Sequence, residues 1–191
     1  MNKRIEELAK ELLSEIENES KKKTQEIARG NIVEIAGDEW IILKVDGDKV
    51  CCLHKEIMDE RIFDSNTNNW TDSSIRKFLN SEFYNMISFE VGSDNVLSIN
   101  TSLVSLDGQK EYGEANDYVS LLTVDLYREN RDILPNTGEW WWLASPWSTK
   151  NNGYERATCV VSPQGFIYDY DCNDSDGVRP FCIFDSSIFK S

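Results

Sequence analysis

Histidine occurs once, at position 54, too few for a metal site built on several histidines. Cysteine is sparse and odd in number, five in 191 residues, with Cys51 and Cys52 adjacent and no C-x-x-C pair. That spacing argues against a zinc site or a disulfide framework and leaves buried, reduced thiols as the expectation. No apolar run approaches the roughly 20 residues of a membrane span, and the N-terminus lacks the apolar core of a signal peptide. The expected location is cytoplasmic. Internal repeats, phosphate loops, Ser-His-Asp sets and paired-carboxylate motifs are also lacking.

Positive charge is short as well: 20 Lys and Arg stand against 34 Asp and Glu, a net charge of -14. The first thirty residues carry seven of each sign, which leaves 13 basic against 27 acidic residues in the remainder. A globular part so acidic repels phosphate backbones and anionic lipid, so neither nucleic acid nor a membrane surface is expected as a partner.

What the chain has in quantity is aromatic residues: 6 Trp, 7 Tyr and 8 Phe. Four of the tryptophans fall in Glu139-Trp-Trp-Trp-Leu-Ala-Ser-Pro-Trp147. Three in a row do not make a helical stripe; an extended chain turns Trp140 and Trp142 to one face and Trp141 to the other. This predicts a central strand covered on both sides and ended by Pro146. Each ring buries on the order of 150 to 250 Å², which makes the segment a large apolar contribution. Its counterpart is the apolar segment Gly177 to Phe184, whose lone Arg179 needs acceptors if it is buried.

The remaining elements follow from periodicity. Residues 1 to 30 form a separate unit, an amphipathic helix over 3 to 28 with Ile5, Leu8, Leu12, Leu13 and Ile16 on one stripe, suited to self-association as a short coiled coil. Residues 31 to 191 form a mixed α+β domain. Two β-type runs around Asp46-Gly47 predict a hairpin. A helix follows Trp70, capped by Thr71 or Asp72, with Ile75, Phe78, Leu79 and Phe83 inward. Strands are expected at Val96 to Ile99, Leu103 to Leu106 and Tyr118 to Thr123, and a helix from Val124 to Ile133. The C-terminal third then alternates strands with two polar loops.

The Trp-Trp-Leu-x-Ser-Pro strand, the Val-x-x-x-Gly turn, Gly-Val-Arg-Pro with its apolar tail, and the Trp-Thr-x-Ser-x-Ile-Arg-x-Phe-Leu-Asn helix together resemble bacterial and phage domains of the C-type lectin fold. The similarity runs from about Gly37 to Phe184. It extends to the formylglycine-generating-enzyme branch, which includes the variable proteins of diversity-generating retroelements. The resemblance implies a C-type-lectin-like fold whose C-terminal loops bind a target, in a bacterial cell or a phage particle. It marks the fold better than the activity.

On that reading the ligand-binding set is Trp147, Ser148, Thr149, Asn151, Asn152, Tyr154, Tyr168, Tyr170, Asn173 and Ser175, taking a protein or glycan. Loop aromatics bring contact area at low entropy cost, and the Asn, Ser, Tyr and Gly content fits loops diversified by mutagenesis. Trp140, Trp142 and Arg179 are structural, with backbone carbonyls, Asp176 or Glu155 as the partners of Arg179. No cofactor is expected. Asp169, Asp171, Asp174 and Asp176 are the oxygen ligands available to calcium, but the sugar-binding tripeptides of calcium-dependent lectins are missing. A thiol oxidase of the formylglycine-generating type would have to use Cys172 and Cys182.

Overall fold

Two large sheets of six and five strands and a third of two strands line the core, and the chain crosses between the two large ones at Arg179-Pro180. The computed structural model describes residues 27–190 together with Arg4 and Lys10. The helix expected over residues 3 to 28, and self-association through it, lie outside the described residues.

The first sheet begins with β1 (Ile32–Ile35), β2 (Asp38–Asp46) and β3 (Lys49–His54), all antiparallel. Asp46 pairs with Lys49, so Gly47-Asp48 is a two-residue hairpin loop, and Gly47 takes the φ of 60° that such a turn requires. Val33 and Ile35 on β1 are buried, so the folded part starts ahead of Gly37, where the resemblance begins. β4 (Asp59–Ile62) belongs to the second sheet.

The helix after Trp70 is capped by Ser73, whose side chain accepts from the Arg76 N–H, and neither Thr71 nor Asp72 serves. The reason is local. Trp70–Asp72 closes a 3-10 turn of its own, with Asn69 accepting from Thr71 N–H, and this delays the helix start. α1 (Ser74–Phe78) then runs through a π-helical turn, Leu79–Phe83, into α2 (Tyr84–Val91). Ile75, Leu79 and Phe83 are buried, whereas Phe78 is half-buried beneath the Arg61 guanidinium, 3.5 Å from its ring centre.

Short strands follow: β5 (Val96–Leu97), β6 (Ile99–Ser102), β7 (Glu114–Asp117) and β8 (Val119–Ser120). The strand expected at Leu103 to Leu106 is instead a turn in which Ser105 N–H bonds the Gln109 carbonyl and Leu106 N–H bonds the Pro146 carbonyl. The strand expected through Thr123 stops at Ser120, because Thr123 caps α3 (Val124–Asn130).

β9 (Trp141–Pro146) occupies the centre of the second sheet, with β10 (Ala157–Val161), β11 (Ile167–Asp171) and β12 (Ser175–Val178) in the order β11-β10-β9-β12-β4. Trp142 and Ala144 enter one core cluster with Trp40, Ile42 and Phe63, and Trp140 packs against it from the rim. Trp141 and Leu143 enter the other with Ile41, Leu43 and Tyr127. The alternation expected of the tryptophans is therefore present. β12 runs parallel to β9, and Gly177 is needed there: a Cβ would come 2.7 Å from the Trp140 carbonyl oxygen. The last strand, β13 (Phe181–Asp185), lies in the first sheet between β3 and β5. Gly177 to Phe184 is thus two strands in two sheets rather than one.

Candidate functional site

Past Pro146 the chain turns outward through a 3-10 turn, Lys150–Asn152, which Gly153 ends in the left-handed region at φ 77°. Asn68 holds this loop from beneath. Its Nδ2 donates to the carbonyls of Ser148 (2.9 Å), Tyr154 (2.8 Å) and Ala157 (2.6 Å), and its Oδ1 accepts from the Tyr112 hydroxyl at 2.8 Å. Asp107 holds it from the side, accepting from Ser105, from Ser148 Oγ at 2.7 Å and from Asn152 Nδ2 at 3.3 Å. The hydroxyls of Ser105 and Ser148 keep the Asp107 carboxyl below the usual range. Two backbone N–H groups are satisfied from the same neighbourhood: Lys150 by the Tyr112 hydroxyl at 3.1 Å and Asn151 by the Glu111 carboxylate at 3.0 Å.

Between the loop's descending arm and the sheet edge lies a groove of about 310 Å³, lined by Gly153 to Ala157 with Asp169 and Asp171. Arg156 forks onto Asp171, with Nη2 at 2.6 Å and Nε at 3.0 Å. Burial raises the Asp171 carboxyl, but the fork, the Asn173 N–H and the Arg156 charge more than offset it and hold it below its ordinary value. No hydrogen bond or ion pair among the described residues engages the carboxylates of Asp169 or Glu155, so the groove offers acceptors with the exposed Tyr154 ring at its lip.

The expected binding set is divided by this geometry. Tyr154, Asn151 and Asn152 are exposed on the loop, and Asn173 is exposed at the turn after β11. Ser148 and Thr149 are buried and cannot meet a ligand: Ser148 is engaged by Asp107, and the Thr149 backbone carbonyl accepts from Asn152 and Tyr154 N–H groups. Trp147 is half-buried against the second core cluster. Ser175 is exposed but stands on β12, opposite Ile62, rather than in a loop. Tyr168 and Tyr170 sit on β11, where alternation turns them to the face opposite Asp169 and Asp171, and both meet the Trp140 ring. The three tyrosines therefore belong to two surfaces.

Arg179 is fully buried and meets backbone carbonyls, one of the partner types expected for it: Nε reaches His54 at 3.2 Å and Nη2 reaches Lys55 at 2.8 Å, while Nη1 has no hydrogen-bond partner among the described residues. Neither Asp176 nor Glu155 is its partner. Burial lowers its guanidinium to about 10. The thiols of Cys172 and Cys182 are buried and burial raises both, Cys172 to about 11, which disfavours the thiolate that oxidase chemistry needs. Cys182 stands opposite Cys52, not Cys172. Asp169, Asp171, Asp174 and Asp176 do not converge, and among the described residues no group of three or more His, Cys, Asp or Glu is placed to hold a metal ion. Likewise no helix among them is long and apolar enough to cross a membrane.

Asn68 and Asp107 were missed from the sequence, and Asp169 was read only as an oxygen donor for calcium, not as part of a groove. Asn68 and Asp107 act on the loop from positions about 80 and 40 residues upstream, and nothing local distinguishes them. The groove position of Asp169 could have been found, since period-two alternation along Tyr168-Asp169-Tyr170-Asp171 separates acids from rings. Comparison with family models, curated proteins and solved structures finds no match to this chain.

Proposed function

We propose that this chain is a binding module of C-type-lectin-like fold that takes a protein or glycan ligand in the groove beneath Tyr154. The observation that carries this reading is the contrast between the loop's two sides. Its inner side spends Asn68, Asp107 and Tyr112 on holding the loop, with the Asn152 side chain tied to Asp107 and Ser148, while its outer side leaves the exposed Asn151 and Tyr154 side chains without a hydrogen bond among the described residues. A preorganised loop with a free aromatic anchor loses little entropy on binding. The carboxylates of Asp169 and Glu155 suit sugar hydroxyls or the donors of a peptide. Two of the motifs behind the C-type-lectin resemblance, Trp-Trp-Leu-x-Ser-Pro and Gly-Val-Arg-Pro, fall on the central strand and on the sheet crossing, which supports the fold reading.

The same surface suits the role of a diversity-generating-retroelement variable protein of bacterial or phage origin, with residues 3 to 28 gathering copies so that weak contacts gain avidity. No nucleic acid or membrane partner and no cofactor is part of this reading. The test is binding of the full chain to glycan and peptide arrays, with Tyr154→Ala and Asp169→Ala as comparisons. Loss of about tenfold in signal is expected for each variant; hits that both variants retain at full strength would overturn the groove as the binding face.

A further inference from the structure

On the face of the second sheet opposite the groove, three aromatic rings form a corner. Trp140 meets Tyr168 at 5.5 Å between ring centres and 70° between planes, and Tyr170 at 4.7 Å and 30°. Trp140 and Tyr170 are half-buried, and Tyr168 is 49% exposed, so the corner is open to solvent. Ring faces carry the negative lobes of a quadrupole, and tryptophan attracts cations most strongly.

Beside the corner stands a carboxylate with no counter-charge. Gly177 is aligned with Trp141 on the parallel neighbour strand, and its N–H bonds the Trp140 carbonyl at 2.9 Å. The residue before it, Asp176, is therefore level with Trp140, on the same side of β12 as Val178, which shares the core cluster that Trp140 packs against. Asp176 is 7% exposed, and no protein group hydrogen-bonds its buried Oδ2. Its neighbours make matters worse: burial, then Asp174, then Glu60 raise its pKa to about 6. Tyr170 is close enough that, after burial, Asp176 and Asp174 raise its hydroxyl too.

The cross-strand cation nearest in register to Asp176 is engaged elsewhere. Arg61 is opposite Asp176 in the β4–β12 register, but its Nε bonds Asp59 at 2.7 Å and its guanidinium lies over Phe78. A buried, unpaired carboxylate opposes folding unless a positive group meets it. Here the missing charge lies beside an aromatic corner of the kind that favours a large, weakly hydrated cation.

We infer that Trp140, Tyr168, Tyr170 and Asp176 form a binding site for an organic cation of the alkylammonium class, separate from the groove. An alkylated ammonium matches both halves, with methyl groups against the rings and its charge toward Asp176. Free quaternary amines and methylated lysine side chains share that chemistry.

The experiment is titration of the full chain with choline, with a short peptide bearing trimethyl-lysine, and with 3,3-dimethylbutanol, the neutral carbon isostere of choline, followed by amide and indole NMR shifts. Saturable shifts at the Trp140 indole are expected with one or both cations, the stronger of the two telling free amine from peptide. The neutral isostere should bind at least about tenfold more weakly. Asp176→Asn and Tyr168→Leu should each weaken the cation by about fivefold or more, with the dispersion of the remaining spectrum unchanged. Equal binding of the isostere would overturn the inference, as would undiminished binding in both variants or no saturable shift with either cation. None of these outcomes depends on the groove, so failure here and failure of the groove reading are distinguishable.

Discussion

The guanidinium of Arg179 lies 4.7 Å from the centre of the Trp141 ring, at the point where the chain leaves one sheet for the other. The two residues come from β9 and from the β12–β13 crossing, so a single cation–π contact joins the central strand to the sheet change. With the carbonyls of His54 and Lys55 also bonded, Arg179 holds β3, β9 and the crossing together. Arg179→Ala leaves both carbonyls without a donor and a gap beneath Trp141. The expected loss is about 3 kcal/mol or more, since buried acceptors cost roughly 1 to 3 kcal/mol each when orphaned. Urea unfolding measures it; a loss below about 1 kcal/mol would show that water replaces the guanidinium without penalty.

Trp142 is fully buried, meets Phe63 at 5.7 Å between ring centres and donates its indole N–H to the Arg61 carbonyl at 2.8 Å. Trp142→Ala should cost about 3 to 5 kcal/mol. Trp142→Phe keeps much of the apolar volume and loses the hydrogen bond, so it should cost clearly less. If the two variants lose the same stability, the bond to Arg61 rather than the packing supports β9.

The elements most legible in the sequence were those whose signal is local. Asp46-Gly47 marked its hairpin because the left-handed turn geometry rests on one local residue, Gly47, and the three tryptophans marked β9 because alternation needs only an extended chain. The sheet crossing was not legible. Gly177 to Phe184 is apolar throughout, and apolar pattern does not say which neighbour a strand pairs with; only Arg179-Pro180 hinted at the break. The candidate loop was legible as polar and aromatic, but burial of Ser148 and Thr149 depends on Asp107 and Asn68, which lie far away in the chain. Asp176 read as one more loop acid because its burial comes from pairing with β4.

Asn68 makes the loop's rigidity testable. Asn68→Ala removes the donor to three carbonyls, at Ser148, Tyr154 and Ala157, and should cost about 1 to 3 kcal/mol. The loss should appear first as local opening. Amide exchange of Asn152, Gly153 and Tyr154 should accelerate, and trypsin should cut after Lys150, while β9 and β13 stay protected. Uniform acceleration across the sheets would show that the loop opens only with global unfolding.

Asp176 sets a pH dependence. Its carboxyl is raised from 3.8 to about 6 in the folded state, so the folded chain holds this proton more tightly than the unfolded chain. Its contribution to stability is therefore greatest below the unfolded value, near pH 4, and is lost as pH rises through about 6. At 1.36 kcal/mol per unit the loss is about 2 to 3 kcal/mol. Asp176→Asn should raise the urea midpoint at pH 7.5 and leave it nearly unchanged at pH 3.5. Equal midpoints at pH 7.5 would mean that the carboxylate is already compensated in the folded state.

The two faces of β11 should separate by mutation. Tyr154 lies beside Asp169 and Asp171 in the groove, whereas Tyr168 and Tyr170 lie with Trp140 on the other side of the same strand. Tyr154→Ala removes an exposed ring and should shift stability within about 0.5 kcal/mol while weakening groove binding by about tenfold. Tyr168→Ala is also at a half-exposed position and should spare the groove but weaken alkylammonium binding. Tyr170→Ala differs from both, because its ring is half-buried and stacks on Trp140; it should cost about 1 to 2 kcal/mol as well as cation affinity. Measured side by side, the three single variants resolve what a triple variant would confound. If Tyr154→Ala and Tyr168→Ala impair the same ligand to the same degree, β11 does not divide two sites, and the ligand must wrap the sheet edge and touch both faces at once.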